Sequence, residues 1–355
     1  MNTEPAAFDT ELVDERSLAA WMDLQNLGGG PLESPIRLTG GTQNVLLSFT
    51  RSGRRFVLRR PPVVPRPGND ETMLREARVL GALAGSDVPH PDLIAVCADT
   101  AVIGTAFYLM ESVDGFNAIN GLPALHASDP AIRREMGYAL VEAAAKLGQI
   151  DYLAAGLGDF GKPANYLERQ VDRWSRQLAG YHAHAGWPGP ESLGSIAVVS
   201  EYLTACLPAS FQPGILHGDY SIGNVMYRHD GPALAAIVDW ELATIGDPLI
   251  DLGWVIATWR DIGGPKLEVL QIEPWTGFPS AGALVERYAA LSHRDLTAID
   301  WYVVMACYKL AILLEGTFAR ACSGAANPET GRRLHRTAVA LIERALYRIE
   351  HPGHW

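Results

Sequence analysis

Basic residues are the minority charge in this chain. Of 355 residues, 29 are Lys or Arg and 40 are Asp or Glu, a formal net charge of -11 at neutral pH. Sequence-independent binding of nucleic acid needs a basic surface, so no nucleic-acid partner is expected. An anionic small molecule in a local basic pocket is still allowed. Cysteine is also scarce: Cys97, Cys206, Cys307 and Cys322 show no C-x-x-C or C-x-H spacing. That excludes a zinc site or disulfide framework by pattern and fits reduced thiols in a cytoplasmic protein. The longest apolar stretch, WYVVMACYKLAILLEG from Trp301, is interrupted by Lys309. It falls short of the ~20 residues that span a bilayer, so it reads as a buried helix and no membrane partner is expected. The opening MNTEPAAFDTELVDE is acidic and polar, unlike a secretory signal, and no lipidation motif, internal repeat or low-complexity linker is visible.

What is present is a globular composition, 48% hydrophobic and 19% charged, in a chain long enough for two lobes. ELVDERSLAAWMDLQNL has apolar residues at helical spacing and stops at Gly28-Gly29-Gly30. IRLTGGTQNVLLSFTRSGRRFVLRRPP reads as three strands, with a break at Gly40-Gly41, a hairpin turn at RSGR and an end at Pro61-Pro62. NDETMLREARVLGALAG is an amphipathic helix, and LIAVCAD and AFYLMESV are two further strands. Beyond Val113 the pattern turns helical. Asp129-Pro130 predicts an N-cap and first turn, and Asn165 is expected to cap YLERQVDRWSRQLAGY. GILHGDYSIGNVMYRHDGPALAAIVDWE interrupts the helices with two short strands, and helices follow near 281–291, 295–320 and 328–349. The expected division is 1–113, a small sheet lobe with an inserted helix, and 114–355, a larger helical lobe.

Polar residues cluster where a turn alone does not need them. LHGDYSIGNVMYR holds Asp219 and Asn224 before one strand, and Asp239 ends the next, fifteen residues after Asn224. A hairpin of that length would return Asp239 toward the first loop. Two carboxylates and an amide oxygen are hard ligands suited to Mg²⁺, with one carboxylate left to accept a proton. TGGTQN lies between two strands. Gly40 and Gly41 permit close backbone approach to phosphate and Thr42 and Asn44 add donors, although Gly-Gly also occurs in ordinary hairpins. Alternation along FVLRR places one of Arg59 and Arg60 inward. It would hold phosphates with Glu76 of the next helix as partner; a solvated arginine pair before a proline turn is the other reading. Arg169, Arg173 and Arg176 share a helical face that either meets an anionic group or is solvated beside Glu168 and Asp172. Trp254, Trp259 and Tyr302 read as core or as an apolar pocket wall.

In chain order these parts resemble those of a kinase fold. HGDYSIGN and IVDWELATIGDPLIDLG are similar to the catalytic-loop and metal segments of the aminoglycoside phosphotransferase/choline kinase branch of the protein-kinase-like fold. The resemblance implies an α+β, bilobal protein-kinase-like architecture and an ATP- and Mg²⁺-dependent transfer of phosphate to a small-molecule hydroxyl. It implies Asp219 as catalytic base, Asn224 and Asp239 as Mg²⁺ ligands and His217 as a structural support. Glu241 is either a further carboxylate near the metal or a surface group. Asp247 and Asp251 would brace the loop through backbone N–H groups. FYLMESVDG resembles the hinge, with Glu111 and Val113 meeting adenine through backbone groups and Met110 behind the ring. The usual strand lysine is replaced; Arg59 takes its place, with Arg60 outward. RFVLRRPP, NYLERQVDRWSRQ and YKLAILLEG resemble the subgroup associated with acyl-CoA dehydrogenases. That subgroup implies a hydroxyacyl thioester or hydroxy acid as acceptor, and as protein partner an acyl-CoA dehydrogenase or a second copy. An aminoglycoside or amino-alcohol acceptor and a non-catalytic nucleotide-binding role are the alternatives.

Overall fold

The computed structural model describes residues 13–38, 44–64, 67–268 and 270–354. The chain divides into two units, one of residues 1–114 and 235–241, the other of 115–234 and 242–355. A single cut after residue 113 therefore misses the return of Ala235–Glu241 to the first unit.

In the first unit α1 (Glu15–Leu24) begins at Asp14, whose carboxylate accepts the N–H groups of Arg16 and Ser17 at 3.0 and 3.1 Å. Then follow β1 (Glu33–Leu38), β2 (Val45–Arg51), β3 (Arg54–Arg60), α2 (Asn69–Leu83), β4 (Leu93–Cys97) and β5 (Phe107–Glu111). They form one antiparallel sheet in the order β1-β2-β3-β5-β4. The β2–β3 hairpin closes on Ser52 and Gly53, both at positive φ, the conformation that matches a two-residue turn to strand twist. Leu47, Phe49, Phe56, Leu58, Phe107 and Leu109 of the sheet form a core with Leu18 and Met22 of α1. By alternation Val57, Arg59 and Tyr108 point to the other face, which α2 covers. Arg60 therefore shares the α1-side face with Phe56 and Leu58. It is buried there, not outward, and its Nε donates to the Pro61 carbonyl.

The second unit contains α3 (Ala124–Ser128), α4 (Pro130–Gln149), α5 (Glu168–Gly180), α6 (Ile196–Ala205), β6 (Gly214–Leu216) and β7 (Val225–Tyr227). The chain leaves through β8 (Leu234–Ile237) and returns with β9 (Thr244–Gly246), α7 (Leu249–Thr258), α8 (Ala281–Leu291), α9 (Ile299–Cys322) and α10 (Pro328–Glu350). The apolar α9 is the packing centre, touching α5, α6, α7 and α10. Its length and composition would allow it to cross a membrane, but most of it is buried in this unit. Asp129 caps α4 as expected, accepting the Ala131 N–H at 2.7 Å, with Pro130 in the first turn. Asn165 does not cap α5. It adopts φ +51°, and the helix starts three residues later behind Leu167 with no side-chain cap.

Candidate active site

In the first unit Arg59 is the centre of a buried charge cluster. On the antiparallel β3–β5 pair Arg59 stands opposite Tyr108, so both side chains lie on the α2 side. Arg59 Nε is 2.8 Å from Glu76 Oε2, and Arg59 Nη2 is 2.6 Å from Asp239 Oδ1. The Tyr108 hydroxyl donates to Glu76 Oε2 at 3.0 Å. Burial opposes the charge on Arg59, but Glu76 and Asp239 outweigh it and hold its pKa above the ordinary value. Burial pushes the Glu76 carboxyl up to about 7, with Arg59 and the Tyr108 hydrogen bond pulling the other way. Asp239 sits at φ +69°, uncommon for a residue with a side chain. Asn44 Nδ2 reaches Glu241 Oε2 at 3.4 Å. Glu76 is thus brought to Arg59 as the sequence suggested; Asp239, expected with Asp219 and Asn224, also meets Arg59, and neither that pairing nor Tyr108 was anticipated. The first 113 residues contain no lysine, so the cation of this unit's inner face is necessarily arginine or histidine.

In the second unit the loop between β6 and β7 is held from several sides. Asn224 ends a 3₁₀ turn capped by Ser221. Its Nδ2 donates to both the main-chain oxygen and Oδ2 of Asp219, at 2.8 and 2.9 Å. The Asn224 amide nitrogen is thereby committed, and its Oδ1 is the atom with ligand capacity. His217 is fully buried, and its Nδ1 accepts the Asp219 N–H at 3.3 Å. Both oxygens of Asp251, from α7, accept main-chain N–H groups: His217 at 2.6 Å and Gly218 at 2.9 Å. Burial raises the Asp251 carboxyl to about 7 against those two donors. Tyr220 donates to the Leu140 carbonyl and Tyr227 to that of Met136, tying the loop and β7 to α4. Asp247 accepts the Leu249 N–H at 3.0 Å and the Tyr302 hydroxyl at 2.5 Å.

The remaining candidates are dispersed. Gly40, Gly41 and Thr42 lie outside the described residues. Glu111 pairs through its side chain with Arg54 at 2.9 Å and donates its N–H to Asp92, while Met110 pairs with Val57 across the sheet and Val113 follows the strand. The arginines of α5 do not converge. Arg169 donates to the carbonyls of Lys162 and Ala164, Arg176 to that of Asp172, and Arg173 lies over Trp174. Trp254, Trp259 and Tyr302 are core residues, each buried. The sequence noted Lys309 only as a break in an apolar run; its ammonium is buried and donates to the Gly218 carbonyl.

Residues 35–296 match the profile of the phosphotransferase enzyme family. Human acyl-CoA dehydrogenase family member 11 is 30% identical over 86% of this chain, a match that covers 39% of the relative. The chain spans between 29% and 39% of the length of the first curated relatives it matches. A solved structure from Ralstonia eutropha, provisionally named an aminoglycoside phosphotransferase, is 30% identical with a TM-score of 0.77. That likeness covers 94% of this chain and 99% of the other. A thermostable mutant of an aminoglycoside phosphotransferase in ternary complex with AMP-PNP and hygromycin B shares the fold alone, at 15% identity and a TM-score of 0.53, with 95% and 99% covered. The α+β, kinase-like fold and the family profile agree, and the chain belongs to the phosphotransferase enzyme family as a kinase-type small-molecule phosphotransferase.

Proposed function

We propose that this phosphotransferase moves the γ-phosphoryl group of ATP to the hydroxyl of a hydroxyacyl thioester or related hydroxy acid. The observation that carries the reading is the double hydrogen bond from Asn224 to Asp219, which fixes one carboxylate in a loop braced by Asp251. Asp219 is the proposed base. As the acceptor oxygen bonds to the γ-phosphorus and the bond to the β,γ-bridging oxygen breaks, ADP takes the electron pair and the hydroxyl proton passes to the Asp219 carboxylate. Arg59 is the proposed grip on the α- and β-phosphates, a permanent cation with a planar fork of donors. Gly40, Gly41, Thr42 and Asn44 are proposed to approach the phosphates. Glu111 and Val113 are proposed to meet adenine through backbone groups beside Met110. The donor set fits Mg²⁺: the Asn224 nitrogen is committed, leaving an amide oxygen, and Asp239 supplies a carboxylate. When bound, the ion would neutralise charge on the β- and γ-phosphates.

The acceptor class is supported by the relatives, which are named acyl-CoA dehydrogenase family members. An acyl-CoA dehydrogenase is accordingly the proposed protein partner. ADP release from Mg-ATP, measured with hydroxyacyl-CoAs, free hydroxy acids, choline and aminoglycosides, tests the proposal. Hydroxyacyl-CoA or hydroxy-acid turnover is expected, and Asp219→Asn should lower it by roughly 10²–10⁴ with nucleotide affinity unchanged. Turnover with aminoglycosides alone would overturn the acceptor class. An active Asp219→Asn would overturn the assignment of the base.

A further inference from the structure

We infer that Lys309 is a positioning residue for Asp219: its ammonium holds the Gly218 carbonyl and so fixes the plane of the peptide that carries the carboxylate. The inference rests on the reading of Asp219 as the base. Lys309 lies in a buried stretch of α9, among Val304, Met305, Ile312 and other apolar residues. A cation there is unfavourable unless it is compensated. The compensation is specific. Lys309 Nζ lies 4.5 Å from the Trp254 ring centroid and 5.5 Å from that of Trp174, so α7 and α5 each present an aromatic face to it. Its hydrogen bond goes to the Gly218 carbonyl.

That carbonyl and the Asp219 N–H belong to one peptide plane and point in opposite directions. Holding the carbonyl on Lys309 directs the N–H toward His217 Nδ1. Asp251 grips the two preceding N–H groups, so three consecutive peptides are fixed, two by a carboxylate and one by an ammonium. Gly218 makes the reversal possible at φ +85°, and a side chain there would come within 2.5 Å of the Leu242 carbonyl oxygen. An apolar residue at position 309 would pack in this core without burying a charge. What it could not do is donate to the Gly218 carbonyl. Burial pushes the ammonium down to about 8; Asp219 and Asp251 work against that shift and Arg173 adds to it, so the charge survives at neutral pH.

Hydrogen exchange on the full chain, followed by ADP release from Mg-ATP with water as acceptor, tests the inference in Lys309→Met, Lys309→Gln and Asp219→Asn. In Lys309→Met, exchange across residues 214–224 should rise about tenfold while α7 and α9 exchange as in the wild type, the scale of one lost buried hydrogen bond. Its kcat should fall about tenfold with an unchanged KM for ATP. Exchange that is unchanged, or raised equally everywhere, would overturn the positioning role. Should Lys309→Met fail to fold, Lys309→Gln decides: a rise confined to the loop supports the role, and a wild-type or uniform pattern overturns it. Asp219→Asn separates the two readings. If it turns over like the wild type, the base assignment fails. If it is inactive while Lys309→Met exchanges and turns over like the wild type, the positioning role alone fails.

Discussion

Arg59 stands between two carboxylates, Asp239 and the phenol-supported Glu76, and each of these groups is tolerable in the first unit because of the others. Glu76 is 1% exposed and Arg59 7%, so neither can turn to water if its partner is removed, whereas Asp239 at 35% can. Arg59→Met should therefore destabilise the chain by roughly 3–5 kcal/mol, the usual effect of stranding a buried charge. Arg59→Met with Glu76→Met should recover much of that loss, because the stranded charge is gone. Urea unfolding of the two single variants and the double gives the coupling directly. Additive losses would show that the pair is not an energetic unit. At this scale the sequence was informative where side-chain type and strand alternation suffice. FVLRR announced an inward arginine, and HGDYSIGN announced Asp219 and Asn224. Tyr108 was not legible, because its role depends on being opposite Arg59 across a strand pair fifty residues apart in sequence. Arg60 was misread as outward because alternation says which face a residue takes, not whether a helix such as α1 covers that face.

The main-chain N–H groups of the Asp219 loop are braced by a helix that comes later in the chain, while Tyr220 and Tyr227 tie the loop and β7 back to the earlier α4. Asp251 is the first-turn acid of α7, and Asp247 fixes the start of that helix while accepting from Tyr302 of α9. The pH dependence of this arrangement has a definite sign. The folded Asp251 carboxyl, at about 7, lies above its ordinary 3.8, so its contribution to stability is full below 3.8 and is lost as pH rises through about 7. Asparagine does not titrate and offers one acceptor oxygen in place of two. Asp251→Asn should therefore cost more stability at about pH 5 than at about pH 8. Urea midpoints at the two values check it, and an equal or larger penalty at the higher pH would show that burial does not dominate this carboxyl. Elements with local signals were legible: the RSGR hairpin, the Asp129-Pro130 start of α4, and the three late helices. Pairing of β6 with β9 was not, since two three-residue strands thirty residues apart carry no periodicity. Asn165 failed as a cap because its left-handed backbone ends a loop instead of starting a helix.

At the scale of the whole molecule, the chain passes from one unit to the other at residues 114–115, 234–235 and 241–242, and the seven residues that return carry Asp239. A fragment ending at Asp114 would therefore lack the third member of the Arg59 cluster. Any ligand that binds only the folded chain stabilises it by mass action, about 2.7 kcal/mol at a hundred times its Kd. Mg-ATP should raise the melting temperature of the intact chain, and ATP with the metal chelated should raise it less. Asn224→Ala removes the proposed amide oxygen while leaving Arg59, Glu76 and Tyr108 in place. It should therefore reduce the difference between the two melts without abolishing the shift produced by ATP alone. Scanning calorimetry of wild type and variant under both conditions measures that difference. If the wild type melts at the same temperature with ATP whether or not Mg²⁺ is present, metal-assisted nucleotide binding fails. If the variant keeps the full difference, Asn224 serves only to hold Asp219, and the metal ligation assigned to it must be given up.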